Sequence, residues 1–151
     1  MSESLAQIYL HIVFSTKQRR KYLQNKLLRE EVHRYLGGTC QHLKSPSLIV
    51  GGVDDHTPIL CRLSRTQAVS ELVRELKRES SKWIKSKDDS LADFHWQDGY
   101  GAFSISPSHV KALRGYIADQ EKHHQKESFQ DEFRRILKKY AVEYDERYVW
   151  D

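Results

Sequence analysis

The decapeptide QIYLHIVFST constrains the chain more than any other stretch. Its side chains alternate: Ile8, Leu10, Ile12 and Phe14 fall on one face, Tyr9, His11 and Val13 on the other. Successive residues of a strand point to opposite faces. A segment that is apolar on both faces therefore belongs in the middle of a sheet, covered above and below. A basic turn, KQRRKY, follows at once.

Beyond this strand the period changes. Leu23, Leu27, Leu28, Val32, Tyr35 and Leu36 recur at helical spacing, and Gly37-Gly38 is expected to end that helix. PSLIVGGV and HTPILCRLS read as two strands joined near Gly51-Gly52 and the aspartates Asp54 and Asp55. In the next segment Val69, Leu72, Val73, Leu76, Ser80, Trp83 and Ile84 form one helical stripe, with Arg74, Lys77, Arg78 and Lys85 largely off it. A polar loop leads to the strand YGAFSISP, and Ser106-Pro107-Ser108 opens a helix over HVKALRGYIADQEKHHQK. A last helix starts near Ser128, with Asp131 as a weak capping box, and carries Phe129, Phe133, Ile136, Leu137 and Tyr140. The tail VEYDERYVWD is aromatic and acidic and is expected to pack on the body or on a second subunit. Strand, helix, strand, strand, helix, strand is the split βαβ order of ferredoxin-like folds. The expected class is α+β: an antiparallel sheet with helices on one face, plus extra C-terminal helices, in a single domain over residues 1–151.

Composition sets limits. The net charge of +4 is a mild basic bias, compatible with a polyanionic partner. No apolar run approaches the roughly 20 residues that span a bilayer, and no signal-peptide pattern opens the chain. Cys40 and Cys61 are too few for a disulfide framework or a zinc ribbon and read as reduced thiols, which places the protein in the cytoplasm.

Three places could carry chemistry. On the penultimate helical segment Val110, Leu113 and Ile117 form a narrow stripe. Tyr116 sits at its edge, Gln120 lies one turn further on nearly the same face, and His123 and His124 follow. At the start of the third strand His56 shares a face with Pro58, beside Asp54 and Asp55. Lys17, Arg19, Arg20 and Lys21, and on the long helix Arg74, Lys77 and Arg78, offer contacts to phosphates. Trp83, His95, Trp96 and Tyr100 offer rings on which bases could stack, although the spacing of Trp83 favours a core position.

HIVFSTKQRR, GGVDDH, SRTQAVSELVRELKRESSKWIK, WQDGYGAFSISPSHV, YIADQEKHH and EYDERYVWD, in that order, resemble the single-tyrosine HUH transposases of small bacterial insertion sequences and the related REP-associated tyrosine transposases. The resemblance covers nearly the whole chain. It implies metal-dependent cleavage and rejoining of single-stranded DNA near a hairpin, through a 5′-phosphotyrosine and a free 3′-OH. By position, Tyr116 matches the nucleophile, Gln120 the metal ligand one turn later, and His56 the first histidine of the His-hydrophobic-His motif. The second histidine would fall at Pro58, and position 57, usually bulky and apolar, is Thr57. A site of His56, Gln120 and Asp54 would suit Mg²⁺ or Mn²⁺. The resemblance also implies a homodimer in which Tyr116 and Gln120 are able to serve the partner's histidine site, with action in cis or in trans left open. Pro58 keeps open a hairpin-binding protein without cleavage, and a ferredoxin-like RNA-binding domain is a third, weaker reading.

Overall fold

The computed structural model describes residues 1–150; Asp151, the end of the tail and of the single-domain range, lies outside the described residues. Four antiparallel strands, β1 (Tyr9–Ser15), β2 (Ser47–Val50), β3 (His56–Arg62) and β4 (Gly101–Ile105), form one sheet in the order β2-β3-β1-β4. Two long helices, α1 (Lys26–His42) and α2 (Val69–Lys85), cover one face. There Leu10, Ile12 and Phe14 of β1 meet Val32, Leu36 and Cys40 of α1 and Leu72, Val73 and Leu76 of α2. This is the ferredoxin-like arrangement expected from the element order.

The other residues of β1 face the opposite way. Val13 packs with Phe103 against α5 (Phe129–Lys139), while Leu60 and Ile105 pack against Ile117 of α3 (Val110–Ala118). The extra C-terminal helices thus seal the second face, which explains a first strand apolar on both sides. Trp150 of the tail lies against Phe133, with ring centroids 6.2 Å apart, so the tail packs on the body.

Three local expectations need correction. The first helix runs through Gly37-Gly38 to His42, because Cys40 extends the buried Val32–Leu36–Cys40 stripe by a further turn. The segment after Pro107 is not one helix: a 3₁₀ turn precedes α3, and the backbone breaks at Asp119 (φ −98°, ψ 19°) before the short α4 (Gln120–His123). Trp96 is no stacking platform for bases. It is buried edge-on against Phe14 and Phe94, and its indole N–H donates to Ser80 Oγ at 2.9 Å. Among the described residues, no helix is long and apolar enough to cross a membrane.

Candidate active site

The site forms where the start of β3 passes beneath α3, α4 and α5. The β2–β3 turn needs Gly52, whose φ of +129° suits glycine and whose Cβ would stand 2.2 Å from the His56 carbonyl oxygen. His56 opens β3 opposite Ser15, and Pro58 lies opposite Val13, so both side chains face the C-terminal helices. Pro58 fits a central strand for a simple reason. Its carbonyl accepts from the Gly51 N–H at 3.0 Å, on the side where β2 has already ended at Val50, and a residue's N–H points to the same side as its carbonyl. The missing N–H therefore faces a loop, and no hydrogen bond of the ladder to β1 is lost.

His56 is fully buried and is held from both ends. Its Nδ1–H donates to Asp55 Oδ1 at 2.7 Å, and its Nε2 stands 3.3 Å from Gln120 Oε1 and 3.5 Å from Glu132 Oε1. The ring also stacks on Phe129 at 4.3 Å. Burial alone would lower the imidazole pKa, but the hydrogen bonds and charges of Asp55 and Glu132 outweigh it and raise it to about 9.

Glu132 is the hub. It sits within the buried stripe Phe129–Glu132–Phe133–Ile136 of α5, a helix capped by Ser128 Oγ accepting from the Asp131 N–H. Its Oε2 accepts from the Tyr116 hydroxyl at 2.5 Å, from His124 Nε2–H at 3.1 Å and from Gln120 Nε2–H at 3.4 Å. Burial pushes this carboxyl up, and the bonds from His124, His56 and Tyr116 more than reverse it, holding it well below the usual carboxylate range.

Tyr116 is half-buried. Its oxygen also accepts from Arg135 Nη2 at 2.6 Å, and its ring stacks on His123 at 4.3 Å. Burial and the neighbouring Glu132 raise the phenol pKa, with Arg135 opposing them.

Tyr116, Gln120 and His56, singled out in the sequence, therefore converge within one chain. Asp54 does not join them. It lies in the turn before β3, its carbonyl accepts from the Leu23 N–H, and the acid that reaches His56 is Asp55. Among the described residues, the group with ligand atoms close enough to share an ion is His56, His124 and Glu132, all within 4.8 Å of one another. Sequence reasoning missed Glu132, His124 and Arg135. An acid inside the apolar stripe of the last helix was the available signal for Glu132, and His124, four residues after Gln120, was the signal for the second imidazole.

The basic residues divide. Arg19 and Lys21 line a cleft of about 610 Å³ that reaches His124 and Phe129, and whose walls also carry Asp54, Asp55, Glu121 and Glu127. Lys17 pairs loosely with Asp98 and Arg20 with Asp93. Lys77 is turned to structural use: its ammonium donates to the carbonyls of Gln97, Asp98 and Gly99, and burial lowers its pKa to about 8. Arg78 bridges Glu75 and Glu79, and Arg74 lies beside Glu75. All three sit on α2, across the sheet from the site.

The sequence matches the family described as "Transposase IS200 like" over residues 4–120. No curated protein matches. Two solved structures are similar in fold. A presumed transposase from Deinococcus radiodurans R1 is 16% identical, with a TM-score of 0.61 over 80% of this chain and 98% of that one. A REP-associated tyrosine transposase bound to a REP hairpin is 15% identical, with a TM-score of 0.54 over 83% of this chain and 74% of that one. The family match stops at Gln120, so His124, Glu132 and Arg135 all lie beyond it.

Proposed function

The chain belongs to the IS200-like transposase family, and from that premise we propose that it cuts and rejoins single-stranded DNA beside a hairpin through a covalent bond to Tyr116, with Mg²⁺ or Mn²⁺ held at His56 and Gln120. One observation carries this reading: a phenol on α3, an amide on α4 and an imidazole on β3 meet around a single buried carboxylate.

The donor set fits a cation. His56 Nε2 and Gln120 Oε1 stand 3.3 Å apart. Two ligands about 2.1 Å from one ion stand about 3.0 Å apart at right angles and about 3.4 Å apart in a tetrahedron. When bound, such a cation neutralises and polarises the scissile phosphate.

The chain's own groups supply the rest. The Glu132 carboxylate fixes the direction of the Tyr116 hydroxyl, and the Arg135 guanidinium stands 2.6 Å from the same oxygen, where negative charge develops when that oxygen leaves phosphorus in the rejoining step. As the bond from Tyr116 Oη to phosphorus forms, the phenol becomes strongly acidic and its proton passes to Glu132. The 3′-oxygen leaves and takes a proton from solvent, and the 5′-phosphate remains on Tyr116. Attack by a 3′-OH on that phosphotyrosine reverses the exchange and rejoins a strand, so no nucleotide cofactor is consumed. DNA would reach the site along the cleft lined by Arg19 and Lys21. The likeness to a hairpin-bound transposase supports hairpin DNA as the partner. Tyr116 and His56 both reach Glu132 within one chain, which supports cleavage in cis; a homodimer exchanging these groups is the alternative arrangement.

The test is incubation of the full chain with labelled hairpin oligonucleotides and Mg²⁺ or Mn²⁺. A denaturation-resistant adduct, absent in Tyr116→Phe, is expected. No adduct with either metal on a hairpin that the protein binds would leave the second reading, which Pro58 favours: a hairpin-binding protein without cleavage.

A further inference from the structure

Pro58 faces the site but brings no ligand atom, since its side chain is a hydrocarbon ring. Around His56 stand two groups that the family match does not reach, His124 and Glu132. Glu132 is 2% exposed, in the middle of an apolar stripe of α5. A carboxylate in such a place is strongly disfavoured unless positive charge or several donors face it. Its bonded partners are His56, His124, Gln120 and Tyr116, three of them groups of the kind that bind metals.

We propose that Glu132 and His124 complete, with His56 and Gln120, a divalent-cation site in which a carboxylate and an imidazole from the C-terminal segment stand in for the histidine absent at position 58. The assignment rests on the cation-dependent reading above and says which residues carry it. The separations agree with one coordination sphere: 3.5 Å from His56 Nε2 to Glu132 Oε1, 3.1 Å from His124 Nε2 to Glu132 Oε2 and 3.3 Å from His56 Nε2 to Gln120 Oε1. Two of those values fall within the spacings of about 3.0 to 3.4 Å expected around an ion at about 2.1 Å, and the 3.5 Å pair lies just beyond them.

The surroundings are built for the same task. Asp55 accepts from the far nitrogen of His56 at 2.7 Å, the carboxylate–histidine support that orients metal-binding imidazoles and leaves Nε2 aimed at the ion. His124 lies edge-on to His56, with ring centroids 4.4 Å apart, and the ligand atoms of the two imidazoles and of Glu132 all lie within 4.8 Å of one another. Two imidazoles, one carboxylate and one amide oxygen form a mixed nitrogen and oxygen set, which favours Mn²⁺ over Mg²⁺, whose preference is for oxygen ligands and water. The carboxylate also removes one unit of positive charge, so this site holds its ion more tightly than a neutral set would.

The experiment uses the full chain and Mn²⁺. Free Mn²⁺ is counted by electron paramagnetic resonance during titration, and pulsed resonance on bound Mn²⁺ counts directly coordinated imidazole nitrogens. Wild type is expected to show two imidazoles. Glu132→Gln and His124→Gln are each expected to weaken Mn²⁺ binding at least tenfold, and His124→Gln to leave one imidazole, whereas Asp54→Asn stays within about twofold. Wild-type affinity in Glu132→Gln, or loss in Asp54→Asn instead, overturns the assignment. If Glu132→Gln fails to fold, the wild-type signal decides alone: two imidazoles support the assignment, and one or none overturns it. Adduct formation is read separately. Mn²⁺ held through Glu132 without any adduct would remove the cleavage reading and keep the ligands; an adduct with unchanged Mn²⁺ dependence in His124→Gln would do the reverse.

Discussion

Arg29, near the start of α1, donates from Nη2 to Glu121 Oε1 at 2.8 Å, and Glu121 is the residue after Gln120. The same guanidinium donates from Nη1 to the Leu23 carbonyl at 2.9 Å, so one buried cation ties the segment before α1 to α4. Replacing it with Met leaves that carbonyl without its donor and frees α4. Arg29→Met is expected to lose about 2 kcal/mol in urea unfolding, the usual scale for a buried hydrogen bond to a charged group. Its adduct yield on hairpin DNA should fall about tenfold, because Gln120 is no longer held against His56. Unchanged yield would mean that α4 is positioned by α5 alone.

Gly52 makes the turn that delivers His56. A methyl group there would meet the His56 carbonyl at 2.2 Å, in a backbone conformation that L residues rarely adopt. Gly52→Ala is expected to destabilise by about 3 kcal/mol. Gly38, inside α1, is the contrast: a methyl group added there would have no neighbour within 4 Å, and Gly38→Ala should stabilise by about 0.5 to 1 kcal/mol. Chemical denaturation of the two variants reads opposite signs if the backbone argument holds.

These two glycines also show what the sequence could convey. Alternation in β1 and the apolar stripes of α1 and α2 carry the sheet and its first helical layer, since period alone decides which residues are buried. Gly37-Gly38 misled because a glycine pair ends a helix only when no buried stripe continues past it, and Cys40 continues this one. Tyr116, Gln120 and His56 stood out by type and spacing. Glu132 did not, because its role depends on α5 folding back over β3, a contact between residues 76 positions apart that no local period records. Asp54 and Asp55 were indistinguishable until the strand was seen to begin at His56.

Two histidines, His11 buried and His33 partly buried, make stability pH-dependent. Burial lowers the pKa of His11 to about 4, with the Glu132 charge opposing and Lys139 assisting. Burial likewise lowers that of His33 to about 4, with Arg29 assisting and Glu121 opposing. Both stay neutral in the folded chain and take up a proton on unfolding between pH 4 and their ordinary value of 6.5. At these two sites the unfolded state binds more protons in that window, so their contribution to stability rises with pH through it and is fully present above pH 6.5. On acidification from there towards pH 4 the loss should reach up to about 3 kcal/mol for each histidine. Urea midpoints across that range measure it. His11→Phe should remove roughly half of the slope, and an unaltered slope would rule out His11 as a source.

DNA binding discriminates between the two basic surfaces. Each Lys or Arg that neutralises a phosphate adds close to one counterion to the salt dependence, with a slope of about 0.7 per contact for single strands. Arg19 and Lys21 border the cleft leading to His124 and Phe129, so Arg19→Ala and Lys21→Ala should each weaken hairpin binding and reduce the slope by about 0.7. Arg78 is already bridged to Glu75 and Glu79 on the far side of the sheet, and Arg78→Ala should leave the slope unchanged. Lys77 predicts a third outcome. Its ammonium holds the carbonyls of Gln97, Asp98 and Gly99, so Lys77→Ala should lower the thermal midpoint while the salt slope of the folded protein stays the same. Affinities for one hairpin measured at several salt concentrations separate these cases, and a reduced slope in Arg78→Ala with none in Arg19→Ala would move the DNA path to the α2 face.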